Sequence, residues 1–215
     1  MPLLAMHLMC GQSGINMVDE KYLVKLNQKC NMLRSKFKYT IIDEANCDIF
    51  YLPTKKTSFI GYKKGYYEQL LLQKYGLKES QKLRAGCKNY LQIFREHNGR
   101  ILQIKSIKGG EVDCIHQACY EGDSMYLFPF SKGGGYYPTY SYVSKSCGGF
   151  VQEEYMVDGK QIIYESYKEE GGKVKYESIN YVVDGKVPLL SSQSGEFTFD
   201  PLSYKILSEY SWLKN

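Results

Sequence analysis

The sequence is poor in the residues that most often announce chemistry. Its 215 residues hold three His, six Pro and a single Trp. No two Cys form a C-x-x-C pair, which removes the commonest paired metal-ligand spacing. No G-x-x-x-x-G-K-[ST] occurs, so Lys132-Gly133-Gly134-Gly135 reads as a hairpin turn and not a phosphate loop. No stretch approaches the ~18 uninterrupted apolar residues that a membrane helix needs. Apolar residues make up 43% and charged residues 24%, which excludes a long disordered chain. The length fits one domain, or one domain with an appended subdomain.

What is abundant is Tyr, with 21 residues, and Gly, with 20. Eleven of the Tyr fall between Tyr120 and Tyr181. Charge is divided along the chain. Residues 1–108 carry 19 Lys+Arg against 8 Asp+Glu, a net of +11, and residues 109–215 carry 9 against 15, a net of −6. The basic charges are dispersed, as in Lys36/Lys38 and Lys55/Lys56, and read as solvated faces and not a nucleic-acid site.

Residues 1–16 read as an arm. Pro2 to Met9 is a short apolar run, and Gly11-Gln-Ser13 gives a small-x-small pattern like a signal-peptidase site, but no Lys or Arg precedes it. The chain is expected to be cytoplasmic, or exported if residues 1–13 are a signal peptide. Cleavage after Ser13 would leave six of the seven Cys, an even set that allows 15 disulfide pairings.

Residues 17–108 read as a basic helix-and-strand portion. Asn16 caps a helix from about Val18 to Ser35, with Tyr22, Leu23, Leu26, Cys30 and Leu33 at helical spacing and Lys21, Lys25 and Lys29 outside. Phe37, Tyr39 and Ile41 alternate with polar residues, as in a half-buried strand. Short strands are expected at 49–52 and 58–62, and helices at 66–75 and 79–85. Asn98-Gly99 joins two strand-like segments and predicts a hairpin.

Residues 109–215 read as a Tyr-rich antiparallel portion. Turn signals at Gly109-Gly110, Glu121-Gly122-Asp123, Gly133 to Gly135, Gly148-Gly149, Asp158-Gly159, Gly171-Gly172 and Asp184-Gly185 recur every 8 to 12 residues or so. This spacing predicts a meander of about eight strands, open or barrel-like. A closing helix is expected after the cap Asp200 and Pro201. The fold class is therefore α+β: an antiparallel β-meander with N-terminal helices and a C-terminal helix. One repeat is visible, Tyr155-Met-Val-Asp-Gly-Lys160 and Tyr181-Val-Val-Asp-Gly-Lys186. The Tyr-x-x-Asp-Gly-Lys pattern resembles the short hairpin repeats of MORN-like and related bacterial antitoxin proteins, over 32 residues in two copies.

A two-residue turn at Asp158-Gly159 pairs Val157 with Lys160 and Tyr155 with Ile162. Tyr155, Val157, Ile162 and Tyr164 then share a core face, with Glu153 as its anomaly, while Glu154 and Glu165 lie on the wetter face. Tyr136, Tyr140 and Tyr142 alternate onto one face, close to a Tyr126/Phe128/Phe130 stripe. This cluster is cross-strand core, a recognition surface, or the lining of a ligand-filled barrel. Cys114, His116 and Cys119 suit a tetrahedral metal site poorly, since Cys119 alternates to the other face. Neither they nor Cys147 matches a Cys–His enzyme signature. Adjacent pairs Glu153-Glu154 and Glu169-Glu170 point to opposite faces, against paired-carboxylate hydrolysis.

The expectation is a non-enzymatic binding protein without cofactor or metal. Its expected partner is a protein, such as a basic toxin that it would block as an immunity protein does, through a Tyr-rich acidic β surface (Tyr126, Phe128, Tyr136, Tyr140, Tyr142, Glu153, Glu154, Glu165). A small-ligand barrel and a cysteine-dependent enzyme are the alternatives.

Overall fold

The computed structural model describes residues 20–54 and 78–134, then the strand segments 141–147, 150–157, 161–170, 173–182, 189–200, 205–206 and 211–213. One helix, α1 (Glu20–Lys36), precedes β1 (Asp48–Pro53), β2 (Tyr90–Arg95), β3 (Ile101–Lys108), β4 (Glu111–Glu121), β5 (Ser124–Phe130) and β6 (Ser141–Cys147). There follow β7 (Phe150–Val157), β8 (Gln161–Glu170), β9 (Lys173–Val182), β10 (Leu189–Asp200), β11 (Lys205–Ile206) and β12 (Ser211–Leu213). Strands β1 to β11 neighbour one another in chain order, all antiparallel in the pairs between them, and β12 also pairs with β10. The sheet is an open meander and not a closed barrel. The expected meander is present, longer than eight strands because β1–β3 belong to it too.

The sheet is buried on both faces in its first half. On β4, Ile115 and Gln117 point to one face and Cys114 and His116 to the other, and all four are buried. The first face carries the larger cluster. Leu23, Leu26 and Cys30 of α1 lie over Ile115, Tyr126, Phe128, Phe130, Val143 and Tyr155. Their i, i+3, i+7 spacing is what gives α1 its apolar stripe. The other face holds Leu52, Leu91, Ile93, Ile101, Ile104, Met125 and Leu127.

The expected strand at Phe37–Ile41 is an extended segment outside the sheet. Its alternation has another cause. The rings of Phe37 and Tyr39 pack 5.4 Å from Phe128 and 5.5 Å from Phe130, and the Thr40 N–H donates to the buried Gln117 side chain at 2.9 Å. A side-chain amide here takes the place of a ladder partner. Ile41, the third residue of the pattern, is exposed.

The helix expected at 79–85 is irregular chain. Ser80 instead exchanges two backbone hydrogen bonds with Tyr51, at 2.7 and 3.0 Å, and so covers the outer edge of β1. Glu79 fixes this segment by a two-pronged ion pair to Arg95 at 2.8 and 2.9 Å, with both side chains largely buried. Glu79→Gln is expected to lower stability by about 1 to 3 kcal/mol, because it removes the charge that faces a largely buried guanidinium. Asp113→Asn, which breaks the exposed Lys108 pair, should cost about 0 to 1 kcal/mol. Urea melts of both variants make the comparison, and equal losses would contradict it.

The C-terminal helix is also corrected. Lys205–Ile206 and Ser211–Leu213 are short strands against β10, with Asp200 paired to Lys205 and Gly195 to Trp212. The backbone donors and acceptors along β10 offer these residues a ladder, and that tertiary pairing outweighs their weak helix preference. The strand expected at 58–62 and the helix at 66–75 lie outside the described residues.

Two turns differ in detail from expectation. At Asn98-Gly99 the loop is one residue longer than a two-residue hairpin. The Gly99 N–H donates to the Glu96 carbonyl at 2.8 Å, and only after that turn does Gly99 take φ +89°. The ladder shifts register at Phe94/Arg95 to absorb the extra residue. At the β7–β8 hairpin Val157 pairs with Ile162 and Tyr155 with Tyr164, two residues from the expected register. A shift of two preserves the faces. Tyr155, Val157, Ile162 and Tyr164 are accordingly all buried together.

Candidate functional site

Helix α1 does not lie flush on the sheet along its whole length. Tyr22, Lys25, Leu26 and Lys29, at i, i+3, i+4 and i+7, form one wall of a cleft. The other wall is a single cross-strand row, Tyr126 of β5, Val143 of β6 and Tyr155 of β7, with Ser124 two residues before Tyr126. The enclosed volume is about 240 Å³. Three Tyr and two Lys thus line a small space.

The two Lys are in different states. The Lys29 ammonium sits 2.6 Å from the Glu121 carboxylate and 5.5 Å from the centre of the Tyr126 ring. Its hydrogen bonds to Glu121 and then to Tyr126 hold its pKa above the usual lysine range. Lys25 is exposed and, among the described residues, has no ion-pair partner. The Ser124 hydroxyl likewise has no partner among them.

The Tyr hydroxyls are tied in a different direction. Tyr155 donates to Glu153 at 2.6 Å, and the Tyr22 hydroxyl lies 3.2 Å from that of Tyr155. The Tyr22 and Tyr155 ring centroids are 6.0 Å apart, tilted at 54°. Burial, and then the bond to Glu153, raises the Tyr155 phenol well above its ordinary pKa. Burial also raises Tyr126, against the opposing effect of Lys29. The Tyr126 and Tyr155 rings therefore serve as neutral walls at physiological pH.

Of the residues singled out from sequence, Tyr126 lines this cleft. Phe128 lies behind it, fully buried, with its ring stacked 6.4 Å from that of Tyr126 at 15°. Glu153 is attached to the cleft through Tyr155. Glu165 lies on another row and accepts from Tyr167 at 2.9 Å. Tyr142 occupies the register row of Leu127 and Met156, one residue out of step with the Tyr126 row. Strand β6 enters the ladder with Val143, and not Tyr142, opposite Tyr126. Glu154 pairs by backbone with Glu165. Tyr136 and Tyr140 lie outside the described residues. Sequence reasoning missed Tyr22, Lys25, Leu26 and Lys29 as one surface, although their spacing is that of a helix face.

The reactive side chains are placed for packing. Cys114 and His116 share a face, with the sulfur 4.0 Å from both ring nitrogens. Both are buried, and desolvation lowers the imidazole pKa to about 4, so this His stays neutral. A thiolate–imidazolium pair would be strongly disfavoured there. Burial likewise pushes the Cys30 thiol up to about 12, and Cys119 packs with the cluster on the other face. Cys30, Cys47, Cys87, Cys114 and Cys119 are all free thiols. Among the described residues no group of three His, Cys, Asp or Glu could hold a metal ion. His97 is exposed beside Asp48, at 3.3 Å. No helix of the described residues is long and apolar enough to cross a membrane. No family model, curated protein or solved structure matches the chain.

Proposed function

We propose that this is a non-enzymatic binding protein whose recognition site is the cleft between α1 and strands β5–β7. The observation that carries the reading is the composition of its walls: Tyr22, Tyr126 and Tyr155 around about 240 Å³, supplied by three separate elements of a packed framework. Tyr gives large, rigid, amphipathic contact area at low entropic cost. Small-ligand sites are concave and mostly apolar, with a few placed polar groups, and this cleft has that make-up. Cys30, Cys114 and His116 are buried, out of a substrate's reach, which favours binding over turnover at these groups.

The test is calorimetry with three probes of one shape: 2-naphthamide, 2-naphthoate and 2-naphthylmethylammonium. At least one should bind saturably, and Ser124→Trp, which projects an indole into the cleft, should abolish that binding. If none of the three binds, the reading is overturned.

A second reading rests on a different observation. Two partly exposed carboxylates, Glu153 and Glu165, are each oriented by a Tyr hydroxyl two residues away. Pre-oriented carboxylates suit recognition of a basic protein, as in an inhibitor that blocks a toxin. The double variant Glu153→Gln/Glu165→Gln should weaken binding to the basic product of an adjacent toxin-like gene by tenfold or more, on the order of 1.4 kcal/mol. Absence of any interaction at low and high salt would remove this reading.

A further inference from the structure

The charge and hydrogen-bonding inventory of the cleft goes further than its shape, and it rests on the binding role proposed above. We infer that the cleft selects a small, flat aromatic molecule carrying a single carboxylate. Four features point there.

The first is size. A volume of about 240 Å³ lies below the ~300 to 1,000 Å³ of sites for drug-sized ligands, so it suits one or two fused rings. The second is the walls. Leu26, Val143 and the rings of Tyr126 and Tyr155 offer apolar and π surface to a planar body. The third is the sign of charge. Three Tyr could in principle form a cage for an organic cation. Here, though, Lys25 and Lys29 line the same space, and among the described residues only Lys29 is ion-paired, with Glu121, while the nearby Glu153 accepts from the Tyr155 hydroxyl. The cation without an ion-pair partner among the described residues is Lys25. That disfavours a cationic guest and matches one carboxylate better than a phosphate, which carries about −1.5 to −2 at neutral pH. The fourth is donor excess. The Lys25 ammonium and the Ser124 hydroxyl have no acceptors among the described residues, whereas the Tyr155 hydroxyl and Lys29 are already occupied. A carboxylate at the mouth would accept from both donors, while the rings of the ligand lie against Tyr126 and Tyr155.

Lys25 is exposed on α1, so its replacement tests recognition without disturbing the core. In wild type, 2-naphthoate should bind about five- to tenfold more tightly than neutral 2-naphthamide, in keeping with one charge-assisted contact at a partly exposed site. Lys25→Gln should erase that preference, lowering the affinity for 2-naphthoate far more than that for the amide. Ser124→Ala should reduce the preference by a smaller factor. Binding of 2-naphthylmethylammonium should be the weakest of the series. Equal affinity for acid and amide in wild type overturns the carboxylate assignment, as does a preference that survives Lys25→Gln. Tighter binding of 2-naphthyl phosphate than of 2-naphthoate overturns the single-charge assignment. In these cases the cleft still binds a ligand. Failure of every probe to bind removes the binding role itself.

Discussion

Phe128→Ala should destabilise the protein by about 3 to 5 kcal/mol, the largest loss expected from any single truncation considered for this chain. Phe128 is fully buried at the centre of β5. Its ring packs against two others within a cluster that takes in the helix. Phe37, in the segment that follows α1, lies 5.4 Å away, and Tyr126 on the same strand lies 6.4 Å away. The same cluster holds Leu23, Leu26 and Cys30 of the helix. Removing the ring leaves a cavity that these neighbours can close only by moving the helix or the 37–39 segment, both of which are held elsewhere. A domain with a typical stability of about 5 to 15 kcal/mol would lose a large fraction of it.

Urea denaturation followed by Tyr fluorescence and by circular dichroism measures this directly. Phe128→Leu keeps most of the volume and should cost about 1 to 2 kcal/mol, so it remains measurable if the Ala variant does not fold. Met32→Ala, at an exposed position of α1, should change stability by less than about 0.5 kcal/mol. A Phe128→Ala loss no greater than that of Met32→Ala would mean that the helix and the sheet do not share one core. The cleft would then have no fixed wall, because Tyr126 is positioned by its contact with Phe128.

The outcome for the sheet illustrates what a single sequence carries. Turn residues such as Gly109-Gly110 and Gly122 mark chain reversals through local backbone chemistry, and β3, β4 and β5 begin and end beside them. Face assignment on β7 and β8 was legible even though the register was wrong by two, because side chains alternate with a period of two. What was not legible depends on partners distant in sequence. Residues 79–85 look helical in isolation, but Ser80 pairs with Tyr51 and Glu79 with Arg95. The C-terminal segment looks helical for the same reason and is drawn to β10. The candidate site divides along the same line. Tyr126 was visible as part of an aromatic stripe. Lys25 and Lys29 read as solvated charges, because nothing in α1 alone says that its edge overhangs the row Tyr126, Val143 and Tyr155. Tyr22, expected in the core, is 42% exposed, since it stands at the cleft and not beneath the helix.

Acid should weaken the fold through His116 by about 2.5 kcal/mol between pH 7.5 and pH 4.5. His116 is 3% exposed on β4, paired across the ladders with Ile104 and Pro129 and in contact with Cys114. Desolvation is the main cause of its low pKa, about 4 against an ordinary 6.5, and Asp113 opposes the shift. In the unfolded chain the same imidazole takes up a proton near pH 6.5. Between the two values the unfolded state therefore binds more protons, and stability falls as pH falls. The contribution is complete above about pH 7 and is lost progressively down to about pH 4. Carboxylates in general also take up protons in acid, so a decline in wild type alone would not identify the cause. His116→Phe and His116→Gln separate them. Neither side chain titrates, so the curve of each variant should be flatter than that of wild type over this range by about 2.5 kcal/mol, whatever its stability at pH 7.5. NMR titration of the His116 ring in the native protein gives a second reading, and no protonation should be seen above about pH 5. Parallel stability curves for wild type and both variants would show that this imidazole is hydrated in the folded state, and that the second face of β4 is open to water.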